Sequence, residues 1–416
     1  MNLRTGTFLW PSTLPEARTY PSLDKDADCE VLVIGGGESG SLVSYQLNEQ
    51  GVDTILVDKR PVAHGTCSAN TGLLQMSNDK PLTACMHTFG QEFGARFYAL
   101  CRQAVDDLEA IAAKLVYSPE FRRRPSLYYA SCPDDVPQLR DEYEALRGIG
   151  FPVEFWDRDR IARHFSFEKP GAIYTQGDAE VNPFKLVNAL IHTAHDRGLR
   201  VYTNTEITDC RVQHDRVVFQ AGRHRIRAKY AVYATGYEAQ EERRHPNAVM
   251  SSSFAIATKP LPAFPGWHER CLLWETARPY LFIRTTVDHR IVIGGFDEGT
   301  VSPEEREIML PHKREVLLEA LRRLFPAIPD LEAEYAWTAA FGSTHDGLPM
   351  FGERPGYPQC FFLLGYGGNG TVYSMIGSNL VADRIVHGRS SPDLELFRLD
   401  RAAHARPTVR RPVRSS

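Results

Sequence analysis

Two glycine-rich runs carry the plainest chemistry in this chain. Gly35, Gly37 and Gly40 stand as Gly-x-Gly-x-x-Gly, and Asp58 follows about twenty residues later. The first glycine makes a tight turn, the second lets backbone approach a pyrophosphate, and the third allows close helix–strand packing. An anion held there rests on a helix N-terminus, where unpaired N–H groups and the dipole favour negative charge. Asp58 is placed to take ribose hydroxyls. The device recurs at Gly365-Tyr-Gly367-Gly368-Asn369-Gly370, which predicts a second anion-stabilising helix start. Between them, the loop 61–75 contains Gly65, Ser68 and Gly72, which offer backbone N–H groups and a hydroxyl to a phosphate; a solvated surface loop is the other reading. The pattern predicts a dinucleotide site and does not separate NAD from FAD.

Fewer residues suggest a substrate contact. Tyr280, Phe282 and Arg284 share one face of a strand by its two-residue period. An inward Arg284 would bind a substrate anion; a solvated edge arginine is the alternative. His345, beside Asp346, reads as a structural histidine. The eight cysteines form no Cys-x-x-Cys pair and no cluster with histidine at zinc spacing, so they read as reduced thiols with no structural metal.

These residues need elements to position them. Val31–Ile34 is a strand, Leu42, Val43 and Leu47 recur at helical spacing, and Gly51 ends that helix before a second strand at Thr54–Val57. Helical patterning over 86–115 and 136–146, with a strand at 126–130 between them, interrupts this domain. The nucleotide-binding pattern resumes at Gly171. Asn182 and Pro183 open a helix, and a strand at 230–233 runs into Ala234-Thr235-Gly236. Alternating segments at 253–258, 272–275, 280–285 and 290–294 predict an antiparallel sheet, followed by a helix at 313–324. A strand at 360–364 enters the second glycine run.

The expected fold is α/β, with an α+β character overall: a doubly wound Rossmann-type domain over 29–86, 166–236 and 335–400, and a substrate domain on an antiparallel sheet over 87–165 and 237–334. Residues 1–28 read as an extended leader lying on the surface or partly loose. Residues 401–416, with Arg406, Arg410, Arg411 and Arg414, read as a basic disordered tail. A net charge of −4 over 416 residues argues against nucleic acid or an anionic membrane as the main partner. No apolar run reaches membrane-span length and no signal-type h-region opens the chain, so a cytoplasmic location is expected.

With these motifs placed, the chain resembles the FAD-dependent oxidoreductases of the D-amino-acid oxidase type. The resemblance rests on GGGESG with Asp58, the GTCSANTG loop, DAEVNPFKL, the ATG turn, STHDGLPMFG and GYGGNG, and the leader looks most like the gamma-glutamylputrescine oxidase branch. It implies FAD as cofactor. Contacts would come from Gly35, Gly37, Glu38, Ser39 and Gly40 at the pyrophosphate, and from Asp58 and Lys59 at the adenosine. Ser68 would approach a phosphate, with Asn70, Thr71, Gly72 and Leu73 beside the flavin. Ile207 would meet the adenine, Ala234, Thr235 and Gly236 would close over the cofactor, and Gly342 and Asp346 belong to the same set. Gly367, Gly368, Asn369, Gly370 and Thr371 would face the pyrimidine end of the flavin.

Three departures bear on the substrate. The arginine that holds a substrate carboxylate in relatives is Phe341 here, and the two positions that tether flavin covalently are Ala339 and Ala69. The resemblance therefore implies non-covalent FAD and oxidation of an amine or amino-acid-like substrate at its C–N bond. Tyr280 and Arg284 are the expected substrate contacts, and dioxygen or another carrier is the electron acceptor. A flavin dehydrogenase of 2-hydroxy acids or polyol phosphates, and a partner-dependent non-catalytic flavoprotein, share the fold and stand as alternatives.

Overall fold

The computed structural model describes residues 2–213, 215–242, 245–389 and 391–401. The tail arginines Arg406, Arg410, Arg411 and Arg414 lie outside the described residues.

Two sheets carry the fold. The first has eight strands, with the order Met350–Arg354, Tyr357–Leu364, His224–Tyr233, Ala27–Ile34, Thr54–Val57 and Arg200–Tyr202 along its main path. From Tyr357–Leu364 to Arg200–Tyr202 the neighbours run parallel. Val31, Leu32 and Val33 are fully buried, as a parallel strand covered on both faces requires. Tyr233 pairs with both Ile34 and Phe362, so three neighbouring strands end at one level. The Gly35–Gly37 turn, the Ala234–Gly236 turn and the Gly365–Gly370 run therefore emerge side by side, at the crevice where open α/β sheets bind ligands.

The helix Glu38–Glu49 leaves the first turn and packs on Gly370–His387, with Ser39 Oγ 2.8 Å from Ser374 Oγ and Gln46 Nε2 2.7 Å from Asn379 Oδ1. Gly40 makes its close approach to the Gly35 carbonyl: a Cβ there would lie 1.8 Å from that oxygen. The helix Pro183–Asp196 is capped as its sequence predicts, the Asn182 side chain accepting from Lys185 N.

The second sheet has ten strands, ordered Arg4–Thr7, Ala333–Thr344, Ala248–Thr258, Ile291–Glu298, Phe282–Thr285, Leu272–Glu275, Arg122–Tyr129, Gly171–Glu180 and Leu73–Leu74, with Val153–Asp157 beside Gly171–Glu180. The helix Pro303–Leu324 buries Leu317, Leu318, Leu321 and Leu324 against its Phe254, Ile256 and Ile293. Two expectations are corrected here. Gly171–Glu180 does not resume the nucleotide-binding sheet but pairs antiparallel with Arg122–Tyr129 in the second one. The leader is not a loose surface segment: Arg4–Thr7 pairs with Ala336–Ala339, and Leu9 and Trp10 are each 1% exposed. Burial of one indole outweighs the weak local propensity of a short, proline-rich segment.

Among the described residues no helix is long and apolar enough to cross a membrane.

Candidate active site

The three glycine turns and the loop after Asp58 line one cavity, with Gly37, Arg60, Glu238, Glu38, Asn70, Thr71, Ala234, Gly236, Tyr280, Phe282, Phe341 and Asp297 among its walls. Gly35, Ser39, Leu73, Thr235, Gly367, Gly368 and Gly370 also line it.

Other predicted residues stand behind these walls and hold them. Both Asp58 carboxylate oxygens accept backbone N–H bonds, from Gly36 at 2.7 Å and Arg60 at 2.7 Å, which fix the glycine turn. Lys59 Nζ lies 3.2 Å from Glu238, and Arg60 is bonded to the same carboxylate. Gly72 has φ +75° and a Cβ there would strike Val181 O, Gly342 accepts from Gly367 N, and Ile207 starts an outer strand. The Asn369 amide donates to Gln75 O at 2.6 Å. Asp346 is bonded to Asn247 and gripped by Arg401 at 2.7 and 2.9 Å; burial pushes its carboxyl up, but the arginine overrides this and holds it below its ordinary value. His345 is exposed.

Two expected contacts are corrected. Ser68 cannot offer its hydroxyl to a phosphate: it is fully buried, donating to Gly65 O and accepting from Arg4 Nη1 at 2.6 Å. Arg284 is 1% exposed and is not among the cavity walls. Its Nη1 donates to Gly72 O at 2.7 Å and Val181 O at 2.6 Å, and its Nε to Thr285 O. The guanidinium lies 5.4 Å over the Trp10 ring and 3.8 Å from the Glu180 carboxylate. Strand periodicity put it on the Tyr280 face, but at its depth it meets loop carbonyls rather than a ligand.

Glu38 joins three cavity segments. Its carboxylate accepts from Asn70 Nδ2 at 2.8 Å and Thr371 Oγ1 at 2.7 Å, tying the first turn of its helix to the 65–75 loop and to the second glycine helix. Burial pushes the carboxyl up to about 7 against these two bonds.

Tyr280 Oη donates to Asp79 Oδ1 at 2.7 Å, and Gly368 N donates to Asp79 Oδ2 at 2.8 Å. Asp297 lies on the cavity wall with Ser253, Tyr280 and Phe282. Sequence reading passed over both acids. A signal was present in Gly294-Gly295, since glycines inside a strand mark a close approach. Side chains there would strike the Phe282 ring and Tyr280 O, so both glycines admit the aromatic strand.

The residues fit the FAD that the resemblance implies. No side chain caps the helix Glu38–Glu49, and a Cβ on its N-cap Gly37 would meet nothing within 4 Å, so its first N–H groups open on the cavity. Gly236 is equally open, and the Gln75 amide nitrogen is buried on the cavity wall without a partner.

Comparison with known proteins agrees. A family model described as "FAD dependent oxidoreductase" (DAO) matches residues 30–384. Glycine oxidase of Geobacillus kaustophilus (strain HTA426) is 23% identical over 397 residues, covering 89% of this chain and 97% of that protein. Gamma-glutamylputrescine oxidoreductase of Escherichia coli (strain K12) is 21% identical over 383 residues, covering 88% of this chain and 85% of that protein. The crystal structure of glycine oxidase from Geobacillus kaustophilus superimposes with a TM-score of 0.77 at 22% identity, covering 90% of this chain and 99% of that one.

Proposed function

This chain belongs to the family of FAD-dependent oxidoreductases, and from that premise we propose that it oxidises the C–N bond of an amine that presents no α-carboxylate to the protein. The observation that carries this reading is that, among the described residues lining the cavity, the only Arg or Lys is Arg60, which is paired with Glu238. Phe341 lines the cavity where relatives would place an arginine, and Arg284 is committed to backbone carbonyls. The relatives' names, glycine oxidase and gamma-glutamylputrescine oxidoreductase, support C–N oxidation as the reaction class.

FAD held in this cavity would supply the hydride acceptor for oxidising the C–N bond to a C=N bond, which water would then hydrolyse. The chain's own residues prepare the substrate for that. Trp337 and Phe341 wall the cavity with rings away from any carboxylate partner, which exclude water and disfavour an unpaired ammonium at the reacting nitrogen. Tyr280 is held in place through its hydroxyl by Asp79, so its ring is a fixed wall. Gly37, Gly236, Gln75 and the start of the Gly370–His387 helix would hold the cofactor. FAD is bound non-covalently in this reading: Ala69 and Ala339 line the cavity at the tethering positions and carry no nucleophile. Cys67 is nearby, but burial pushes its thiol far up and it donates to Ala63 O. Acid precipitation is expected to release the flavin into the supernatant.

Anaerobic bleaching of the flavin tests the substrate class. Amines are expected to bleach it, and α-amino acids and 2-hydroxy acids are not. Bleaching by a hydroxy acid overturns the reading, as does reduction by dithionite with no response to any amine. The rate of colour return in air tells an oxidase from a dehydrogenase.

A further inference from the structure

The cavity has a polar end that the chemistry above leaves unused. Asp297 is the penultimate residue of the strand Ile291–Glu298 and lines the cavity with Ser253, Tyr280 and Phe282. Its Oδ1 is shut off from solvent and has no hydrogen-bond partner. A second acid, Asp79, adds to the negative field and is itself anchored by Tyr280 and Gly368. Burial, with Asp79 reinforcing it, pushes the Asp297 carboxyl up to about 6, although Ser253 bonds to it. A half-buried carboxylate with one oxygen shut off and unpartnered either keeps a proton or takes a cation.

Among the described residues the cation that acts on Asp297 is Lys313, and its Nζ is already held by Phe296 O at 2.9 Å and Glu298 at 2.5 Å. Among the described residues lining the cavity, Arg60 is the only Arg or Lys, and it is paired with Glu238. Two rings share this wall: Tyr280 and Phe282 stand edge to face with centroids 5.8 Å apart. Rings beside a carboxylate make a receptor for an ammonium group, by ion pairing and by cation–π attraction.

We infer that Asp297 anchors a positively charged group of the substrate, so that the substrate is an amine with a second cationic centre. This rests on the amine-oxidising reading. The two nitrogens must differ because hydride leaves only the carbon next to a neutral nitrogen, whereas a nitrogen paired with Asp297 keeps its proton or is quaternary.

The test uses FAD-loaded protein as wild type, Asp297→Asn and Asp297→Glu, each checked for flavin content and melting temperature. Tetraethylammonium, which cannot be oxidised, is titrated calorimetrically at constant ionic strength, with acetate as the anionic counterpart. It is expected to bind wild type, about 10-fold or more weakly to Asp297→Asn, and within a few-fold of wild type to Asp297→Glu. Anaerobic reduction is then compared between a linear alkyl diamine and the monoamine of equal length. The diamine is expected to be favoured about 10-fold or more in kcat/KM by wild type, and the preference is expected to collapse in Asp297→Asn. Equal tetraethylammonium binding by wild type and Asp297→Asn overturns the inference, as does tighter binding of acetate or equal use of both amines. If no amine reduces the flavin while cation binding still depends on Asp297, the amine reading fails and the cation site stands.

Discussion

The Glu38 carboxyl gives the fold a pH signature that can be worked out in advance. Its ordinary value is 4.5, and burial raises it to about 7 in the folded protein. The folded state therefore holds this proton more tightly than the unfolded one. The resulting stabilisation is complete below the unfolded value, shrinks as pH rises, and is gone once pH passes the folded value. The whole span corresponds to about 3 kcal/mol, and cavity water reduces that, so it is an upper figure. Between about pH 6 and about pH 8 the loss assigned to Glu38 is about 1.3 kcal/mol. Asp178 and Asp297, both raised to about 6 mainly by burial, act in the same direction but contribute only about 0.4 kcal/mol each in that window.

Glu38→Gln keeps the connections, since an amide can accept from Asn70 and donate to the Thr371 hydroxyl, but it cannot titrate. Urea unfolding of the flavin-free wild type and variant at both pH values gives the comparison. The wild type is expected to lose about 1 kcal/mol more than the variant between the lower and higher pH. Parallel losses in both proteins refute the assignment of a proton to this carboxyl.

Three other perturbations follow from the packing. Gly40→Ala places a methyl 1.8 Å from the Gly35 carbonyl oxygen; a destabilisation of about 3 kcal/mol or more, with loss of bound flavin, is expected in melting and flavin-content measurements. Trp10→Ala removes a 1%-exposed indole and is expected to cost about 3–5 kcal/mol in unfolding free energy, although it lies in a segment that reads as a leader. Arg284→Gln removes one of the two guanidinium groups beside Glu180, which keeps Arg124, and takes a donor from the Gly72 and Val181 carbonyls; a loss of about 2 kcal/mol in stability is expected, and a variant that melts normally but shows a raised KM returns Arg284 to the substrate.

The cofactor turns were legible because their logic is local: Gly35, Gly37, Gly40 and Asp58 lie within one strand–helix–strand unit. What the sequence hid depends on partners far away. The extended run Gly171–Glu180 suits either sheet, and only its pairing with Arg122–Tyr129 decides. Arg284 sits on the face its period predicts, but side-chain depth is set by the Gly72 loop folding over it. Asp79 and Asp297 were passed over because neither belongs to a spacing motif; Tyr280, which bonds one and lines the cavity beside the other, brings them into a single field.

The loop that carries Asn70 is fastened at consecutive carbonyls by two indoles, Trp337 Nε1 to Ala69 O at 2.9 Å and Trp10 Nε1 to Asn70 O at 2.6 Å. One latch is made early in synthesis and the other late. Trp337 follows Ala69 by 268 residues, which is about 13–54 s of translation at about 5–20 residues per second. Arg4–Thr7 likewise waits for Ala336–Ala339 before it has a partner strand. The cofactor loop thus stays half fastened from the synthesis of Asn70 until Trp337 has emerged, and flavin is expected to be captured only after that point.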